Sequence, residues 1–379
     1  MNIRDLLKVM VERGASDIYL TVGLPPIFRI DGVNHAVKAE PFKNEDLEAQ
    51  ANSIMLREKQ RREFEDTLEM NLSLFYPDLG RFRANIFRQQ GNVGIVIRQI
   101  KLEIQSIDEL GLPDIAKGIA MIKRGLVLVV GATGCGKSTT LAAMIDHRNT
   151  NSSGHIISIE DPIEFVHQHK NSVITQREVG FDTLSFQQAL KNMLRQAPDV
   201  ILIGEVRDTE TMESALNFAE TGHLCLGTLH ATNAYQAIER ILNFFPAERH
   251  NQIYLQLSLN LRAIISQRLV PSLDGKRVAG LEILIDTPRI KELIKKGQID
   301  SIREAMEQGV QEGCQTFDTV MFELYKDNKI SLEQALLNAD SANNVRLKIK
   351  LSSMERQAQG PARGEGEAAG RYQIRRRPS

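Results

Sequence analysis

Residues 131–138 read GATGCGKS. The small residues Gly131, Ala132, Thr133, Gly134, Cys135 and Gly136 lead to Lys137 and Ser138, with Thr139 next. This is the G-x-x-x-x-G-K-S (Walker A) spacing, in which glycines turn the chain tightly enough for successive N–H groups to converge on one anion. Lys137 brings a mobile charge for the outer phosphates, and Ser138 a hydroxyl for Mg²⁺. An apolar run over 125–130 (GLVLVV) precedes the loop, and a helix-forming stretch over 139–147 follows it. A helix start placed there adds its positive dipole end. The bland alternative is a glycine-rich turn between a buried strand and a helix. The pattern predicts binding of a nucleoside triphosphate. Cys135 sits where the backbone does the binding and is given no catalytic role.

Hydrolysis needs an oriented water, a metal and positive charge on the transition state. In 157–167 (ISIEDPIEFVH) a strand runs into Glu160, Asp161 and Glu164. Carboxylates at the C-terminal end of a parallel strand face the crevice where such sheets bind ligands, and one there can orient or deprotonate water. Asp161 can equally cap a helix with Pro162 at its first position. In 200–207 (VILIGEVR) four apolar residues end in Gly-Glu, so Glu205 is placed to hold Mg²⁺ through water or to polarise the attacking water. A buried strand followed by an exposed glutamate reads the same way. The segment 221–230 (TGHLCLGTLH) carries His223 and His230 at its two ends. His230 lies at the carboxyl end, as a candidate γ-phosphate sensor, whereas His223 begins the strand.

Arg81, Arg83, Arg88 and Arg98 alternate along two strand-like stretches nearer the N-terminus. Alternation also yields an ordinary solvated sheet face. Apart from Arg195 and Arg207, the phosphate-loop region offers no obvious arginine for the transition state, so one donated by a neighbouring subunit would complete the site.

The bulk of the chain constrains the choices. At 379 residues it is long enough for two or three domains, and a net charge of −1 with 25% charged residues does not suggest a coat for nucleic acid or membrane. No apolar run approaches the length of a membrane span, and the N-terminal stretch lacks the unbroken apolar core of a secretion signal. Three widely spaced cysteines fit reduced thiols in the cytoplasm, and the lack of any C-x-x-C excludes a four-cysteine zinc module.

Residues 1–100 mix a helix (3–13) with short alternating strands at 17–21, 27–30, 71–76, 81–88 and 94–99, a small α+β domain. A polar connector over 101–113 reads as a hinge. Over 114–345 wholly apolar strands (125–130, 155–159, 200–203, 224–229) alternate with helices (185–195, 209–220, 234–244), the pattern of an α/β domain with a parallel sheet buried on both faces. Further helices are predicted at 250–266, 288–296, 301–308, 317–328 and 332–338. The segment 346–379 carries nine Lys/Arg against three Glu and reads as a disordered basic tail, either solubilising or able to touch acidic lipid or a partner.

With these residues laid out, the chain resembles the secretion-superfamily hexameric ATPases of type IV pili and type II secretion, and more narrowly the PilT/PilU family of pilus retraction ATPases. The resemblance rests on ASDIYLTVGLPPIFRIDG (15–32), GRFRANIFRQ (80–89), GATGCGKSTTLAAMID (131–146), SIEDPIEFVH (158–167), VILIGEVRD (200–208) and AETGHLCLGTLHATNA (219–234). It implies a PAS-like N-terminal domain before a RecA-like P-loop domain. It also implies Glu164 as catalytic glutamate, Glu205 as Walker B glutamate, a His box with His223 and His230, and arginines lent to the neighbour's nucleotide, best matched by Arg83 and Arg98, then Arg81. The pilus extension and type II secretion motors of this superfamily carry a tetracysteine zinc insert, which this chain lacks. A late helix reading RIKELIKK (289–296) and a long polar tail depart from the PilT pattern and point to PilU.

The function so implied is a cytoplasmic ATPase, peripheral at the inner face of the membrane, using ATP and Mg²⁺. It would form a homohexamer and drive pilus retraction and twitching motility beside a PilT-type paralogous ATPase, acting on an inner-membrane pilus platform protein. Two other classes stand beside it. One is an ATP-binding regulatory subunit with little turnover of its own. The other is a nucleic-acid translocase, disfavoured by near-neutral charge and few aromatics.

Overall fold

A computed structural model describes residues 2–100 and 103–358. The chain divides into two compact units: residues up to Leu269 with Leu281–Thr316, and Val270–Gly280 with the residues from Phe317 onward. Neither division falls at the expected 100 or 345, although the first unit contains two separate sheets, each with its own core.

In the first sheet β1 (Asp17–Leu20), β2 (Ile27–Ile30), β3 (Val33–Ala36), β4 (Glu69–Tyr76), β5 (Gly80–Gln89) and β6 (Asn92–Ile100) run in the order β3-β2-β1-β6-β5-β4. Every pairing is antiparallel. Alternation along β5 buries Phe82, Ala84 and Ile86 in one core with residues of α1 (Ile3–Glu12), α2 (Asn44–Ile54) and α3 (Glu58–Thr67). Arg81 and Arg83 take the positions between them. The pairing register then sets a row across the strands: Arg83 opposite Arg98, Arg98 opposite Asp17, and Asp17 opposite Arg29.

The second sheet is built from β7 (Gly125–Val130), β8 (Gly154–Glu160), β9 (Ser172–Glu178), β10 (Val200–Ile203), β11 (Leu224–Leu229), β12 (Leu261–Pro271) and β13 (Arg277–Ile285), in the order β13-β12-β7-β11-β10-β8-β9. From β12 to β9 all pairings are parallel. All residues of β7, β10 and β11 are buried, as strands covered on both faces must be. The helices are α4 (Ile115–Ala120), α5 (Lys137–Asn151), α6 (Phe186–Met193), α7 (Thr209–Glu220), α8 (Ala234–Leu242), α9 (His250–Asn260), α10 (Pro288–Lys295) and α11 (Ile302–Gln308). Several begin at the side-chain caps their sequences offer: Ser185 before α6, Asp208 before α7, Asn233 before α8.

Three expectations are corrected. The helix expected over 250–266 ends at Asn260, and β12 starts directly at Leu261, because Ala263, Ile264 and Ile265 are all buried against β7. No helix begins at Asp161–Pro162, which joins β8 to an irregular segment through a cis peptide. The tail expected from 346 starts as helix: α12 (Phe317–Lys326), α13 (Leu332–Leu337) and α14 (Ala342–Ala358) form the second unit. Val345 of α14 is fully buried with Phe317, Met321 and Ile330, which supplies the apolar anchorage that composition alone concealed. Residues 359–379, the rest of the expected tail, lie outside the described residues. Of the connector expected as a hinge, Ile107 and Leu112 are buried.

Candidate nucleotide site at the head of the parallel sheet

The loop between β7 and α5 makes its turns with glycines in backbone regions that side chains rarely enter. Gly136, the residue before α5, has φ 91°, and a Cβ there would lie 2.8 Å from Gln267 Nε2. At Gly131 (φ 153°) a Cβ would lie 2.5 Å from Cys135 Sγ. Lys137 Nζ donates to the carbonyls of Gly131 (2.9 Å) and Ala132 (3.0 Å), so its ammonium stands inside the loop. Gln267 of β12 braces the loop from beneath. Its Nε2 donates to the Cys135 carbonyl at 2.7 Å, and its Oε1 accepts from Thr140 Oγ1 at 2.7 Å. Burial pushes the Cys135 thiol up, which fits a packing role rather than a nucleophile.

A cleft of about 410 Å³ opens over this loop. Thr133, Gly134, Gly136, Lys137, Ser138 and Thr139 form one wall; Glu160 comes from the end of β8, Asp161 and Glu164 from the irregular segment after it, Glu205 from just past β10, and His230 from just past β11. Parallel pairing of β8, β10 and β11 brings these ends together, so groups up to 70 residues apart (Glu160 to His230) share one cavity. Glu164 is exposed at the cleft. Glu160 is half-buried, accepts from Ser158 Oγ (2.6 Å) and Gln176 Nε2 (3.1 Å), and desolvation pushes its carboxyl up.

Glu205 is held between two partners. Its Oε2 accepts from Arg207 Nε at 2.7 Å, and its Oε1 lies 3.0 Å from His230 Nε2. Arg207 also reaches Asp161 Oδ2 at 3.4 Å. The Glu205 hydrogen bond pushes the Arg207 guanidinium up. His223 stands at the other end of β11, its Nδ1 3.1 Å from Thr221 Oγ1, away from the cleft.

The first-sheet arginines are not brought into this cleft. Arg83 lines a second groove with Asp161, Pro162 and Glu178. Arg98 Nε donates to Asp17 Oδ1 at 2.7 Å, and Asp17 is only 3% exposed. Sequence reasoning missed Gln267, which lies on β12, a strand not expected in the sequence, and His167. His167 lines a cavity of about 30 Å³ behind the loop with Ser138, Glu160 and Thr228. Its Nδ1 is buried with no hydrogen-bond partner among the described residues, and burial pushes the ring down to about 4.

A phosphate loop at the head of a parallel sheet, beneath carboxylates from two neighbouring strands, defines a RecA-like P-loop nucleotide domain. Residues 2–359 match the family "Type II/IV secretion system protein", and the chain belongs to that family. It is 52% identical to the type IV pilus ATPase PilU of Pseudomonas aeruginosa over 93% of this chain and 92% of that one. It is 43% identical to the pilus retraction ATPase PilT of the same organism, over 91% of this chain and 100% of that one. Among solved structures it resembles the pilus retraction motor PilT with bound ADP, with TM-score 0.85 and 44% identity over 90% of this chain and 98% of that one. The resemblance to the PilT/PilU retraction ATPases thus holds along most of the chain, and the identity is higher to PilU than to PilT.

Proposed function

We propose that the chain is a pilus-retraction ATPase that hydrolyses ATP in the cleft over 131–139, as a cytoplasmic motor peripheral to the inner face of the membrane. The observation that carries this reading is the meeting of Lys137 and Ser138 with Glu160, Glu164, Glu205 and His230 in one cavity. The names of the similar PilU and PilT proteins, and the ADP in the PilT structure, support it.

Each residue has a task. The amides of the loop and the start of α5 face the phosphates, and Lys137 exchanges its two loop carbonyls for phosphate oxygens. Glu164, free to move at the cleft surface, orients and deprotonates the attacking water. His230 senses the γ-phosphate position and, through Glu205, links it to Arg207. Magnesium fits this donor set: a hydroxyl, Ser138, and a carboxylate, Glu205 acting through water, suit an ion that keeps several waters and takes its other ligands from phosphate. When bound, it neutralises charge on the β- and γ-oxygens.

Arg83 and Arg98 serve the neighbouring subunit's site in a homohexameric ring, and flexing over 101–113 opens and closes each interface. The motor acts on an inner-membrane platform protein, as a PilU-type accessory to a PilT-type motor. Steady-state ATP turnover by the purified chain tests the reading. Lys137→Ala should abolish it, and Glu164→Gln should bind nucleotide without turnover. Normal turnover by Glu164→Gln would remove Glu164 from the mechanism. A parent chain that binds ATP without hydrolysing it would favour a regulatory subunit.

A further inference from the structure

Helix α14 buries one face and leaves another uncovered. Val345 is fully buried and Ile349 packs against the same core, while Asp318 holds the start of the helix by accepting from Ser341 N (2.9 Å) and Asn344 Nδ2 (3.3 Å). On a different face Leu347, Leu351 and Met354 are 56%, 50% and 51% exposed. Their spacing of four and three residues makes them one stripe. At about 100° per residue, Lys348 and Glu355 fall on one flank of that stripe, and Lys350 and Arg346 fall on the other, leaving the two flanks net positive.

An apolar stripe bordered by cations on both sides is the arrangement of a helix lying in a bilayer interface. The apolar side chains enter the acyl boundary, and the lysine and arginine stems extend so that their charges stay at headgroup level. Neither Lys348 nor Lys350 forms an ion pair among the described residues, so both charges are available. The sequence beyond the described residues, 359–379, adds five arginines against two glutamates. We infer that α14 is a reversible docking element for an anionic lipid surface, with Leu347, Leu351 and Met354 inserted and Arg346, Lys348 and Lys350 on the headgroups. This stands independently of the nucleotide chemistry.

Co-sedimentation of the full chain with vesicles at low salt tests it. The chain should pellet with phosphatidylcholine vesicles containing phosphatidylglycerol and stay in the supernatant with phosphatidylcholine alone. Lys348→Glu with Lys350→Glu should weaken pelleting by about tenfold or more, and Leu347→Ser with Leu351→Ser and Met354→Ser should abolish it. Both variants should keep the parent's melting temperature and ATP turnover in solution. Equal pelleting by the serine variant, pelleting indifferent to phosphatidylglycerol, or no pelleting at all would overturn the assignment. So would a serine variant that loses self-association in the absence of lipid, since that would make the stripe a protein contact.

Discussion

His230 Nε2 lies 3.0 Å from Glu205 Oε1, joining the carboxyl ends of two adjacent parallel strands across the nucleotide cleft. The other oxygen of the same carboxylate is taken by Arg207 at 2.7 Å, so Glu205 is oriented from both sides. Any movement of His230 is therefore felt at Glu205, and through Arg207 at Asp161.

Removing one side of that clamp should slow chemistry more than binding. His230→Ala is expected to lower kcat by about ten- to a hundredfold, the worth of one hydrogen bond to a charged group, with a smaller change in nucleotide affinity. Single-turnover and nucleotide-binding measurements separate the two. An unchanged kcat would show that the clamp is structural.

The phosphate loop should depend on a residue far from it in sequence. Gln267 is 4% exposed and satisfies both the Cys135 carbonyl and the Thr140 hydroxyl. Gln267→Ala leaves both groups unpaired and should cost about 1–3 kcal/mol of stability together with weaker nucleotide binding. Gly136→Ala should harm binding through the same side chain, because its Cβ collides with Gln267 Nε2. Thermal melting with and without nucleotide reads both; if the loop is insensitive to Gln267, the melting shift on nucleotide addition will match that of the parent.

Acid should destabilise the protein through His167. Burial lowers its folded pKa from 6.5 to about 4, so the folded state resists a proton that the unfolded chain takes up. The stability held in the neutral ring is complete above about 6.5 and is lost as pH falls towards 4, amounting to up to ~3 kcal/mol. Melting curves across that window should show a slope that His167→Phe removes. A slope unaltered by the substitution would place the acid sensitivity elsewhere.

Much of this was legible in the sequence, for identifiable reasons. The runs GLVLVV, VILI and LCLGTL match β7, β10 and β11 residue for residue, because a strand buried on both faces must be apolar throughout. α7 begins and ends where expected, since Asp208 caps it by accepting from Thr211 N. Polar β9, SVITQRE, at the edge of its sheet, gave no such signal. β12 was hidden because apolar residues recur at close spacing from Ile253 through Ile265, with no glycine or proline anywhere in 250–270 to mark the change at Leu261. Glu160 and Glu205 were legible because they stand at or just past the carboxyl ends of apolar strands, while Glu164 follows β8 by four residues. Gln267, His167 and the Asp17–Arg98 pair, 81 positions apart, were not: their roles come from pairing register and packing.

Arg83 and Arg98, facing each other across β5 and β6, lie outside the cleft of their own chain, and hydrolysis across a subunit boundary would give them a task. The most direct measurement is ATP turnover by a co-expressed mixture of Glu164→Gln chains and Arg83→Ala/Arg98→Ala chains. Each variant alone should be inactive. Mixed rings should regain turnover, because the intact loop and Glu164 of one chain then meet the intact arginines of the other. A mixture as inactive as its two components would contradict a site shared between subunits.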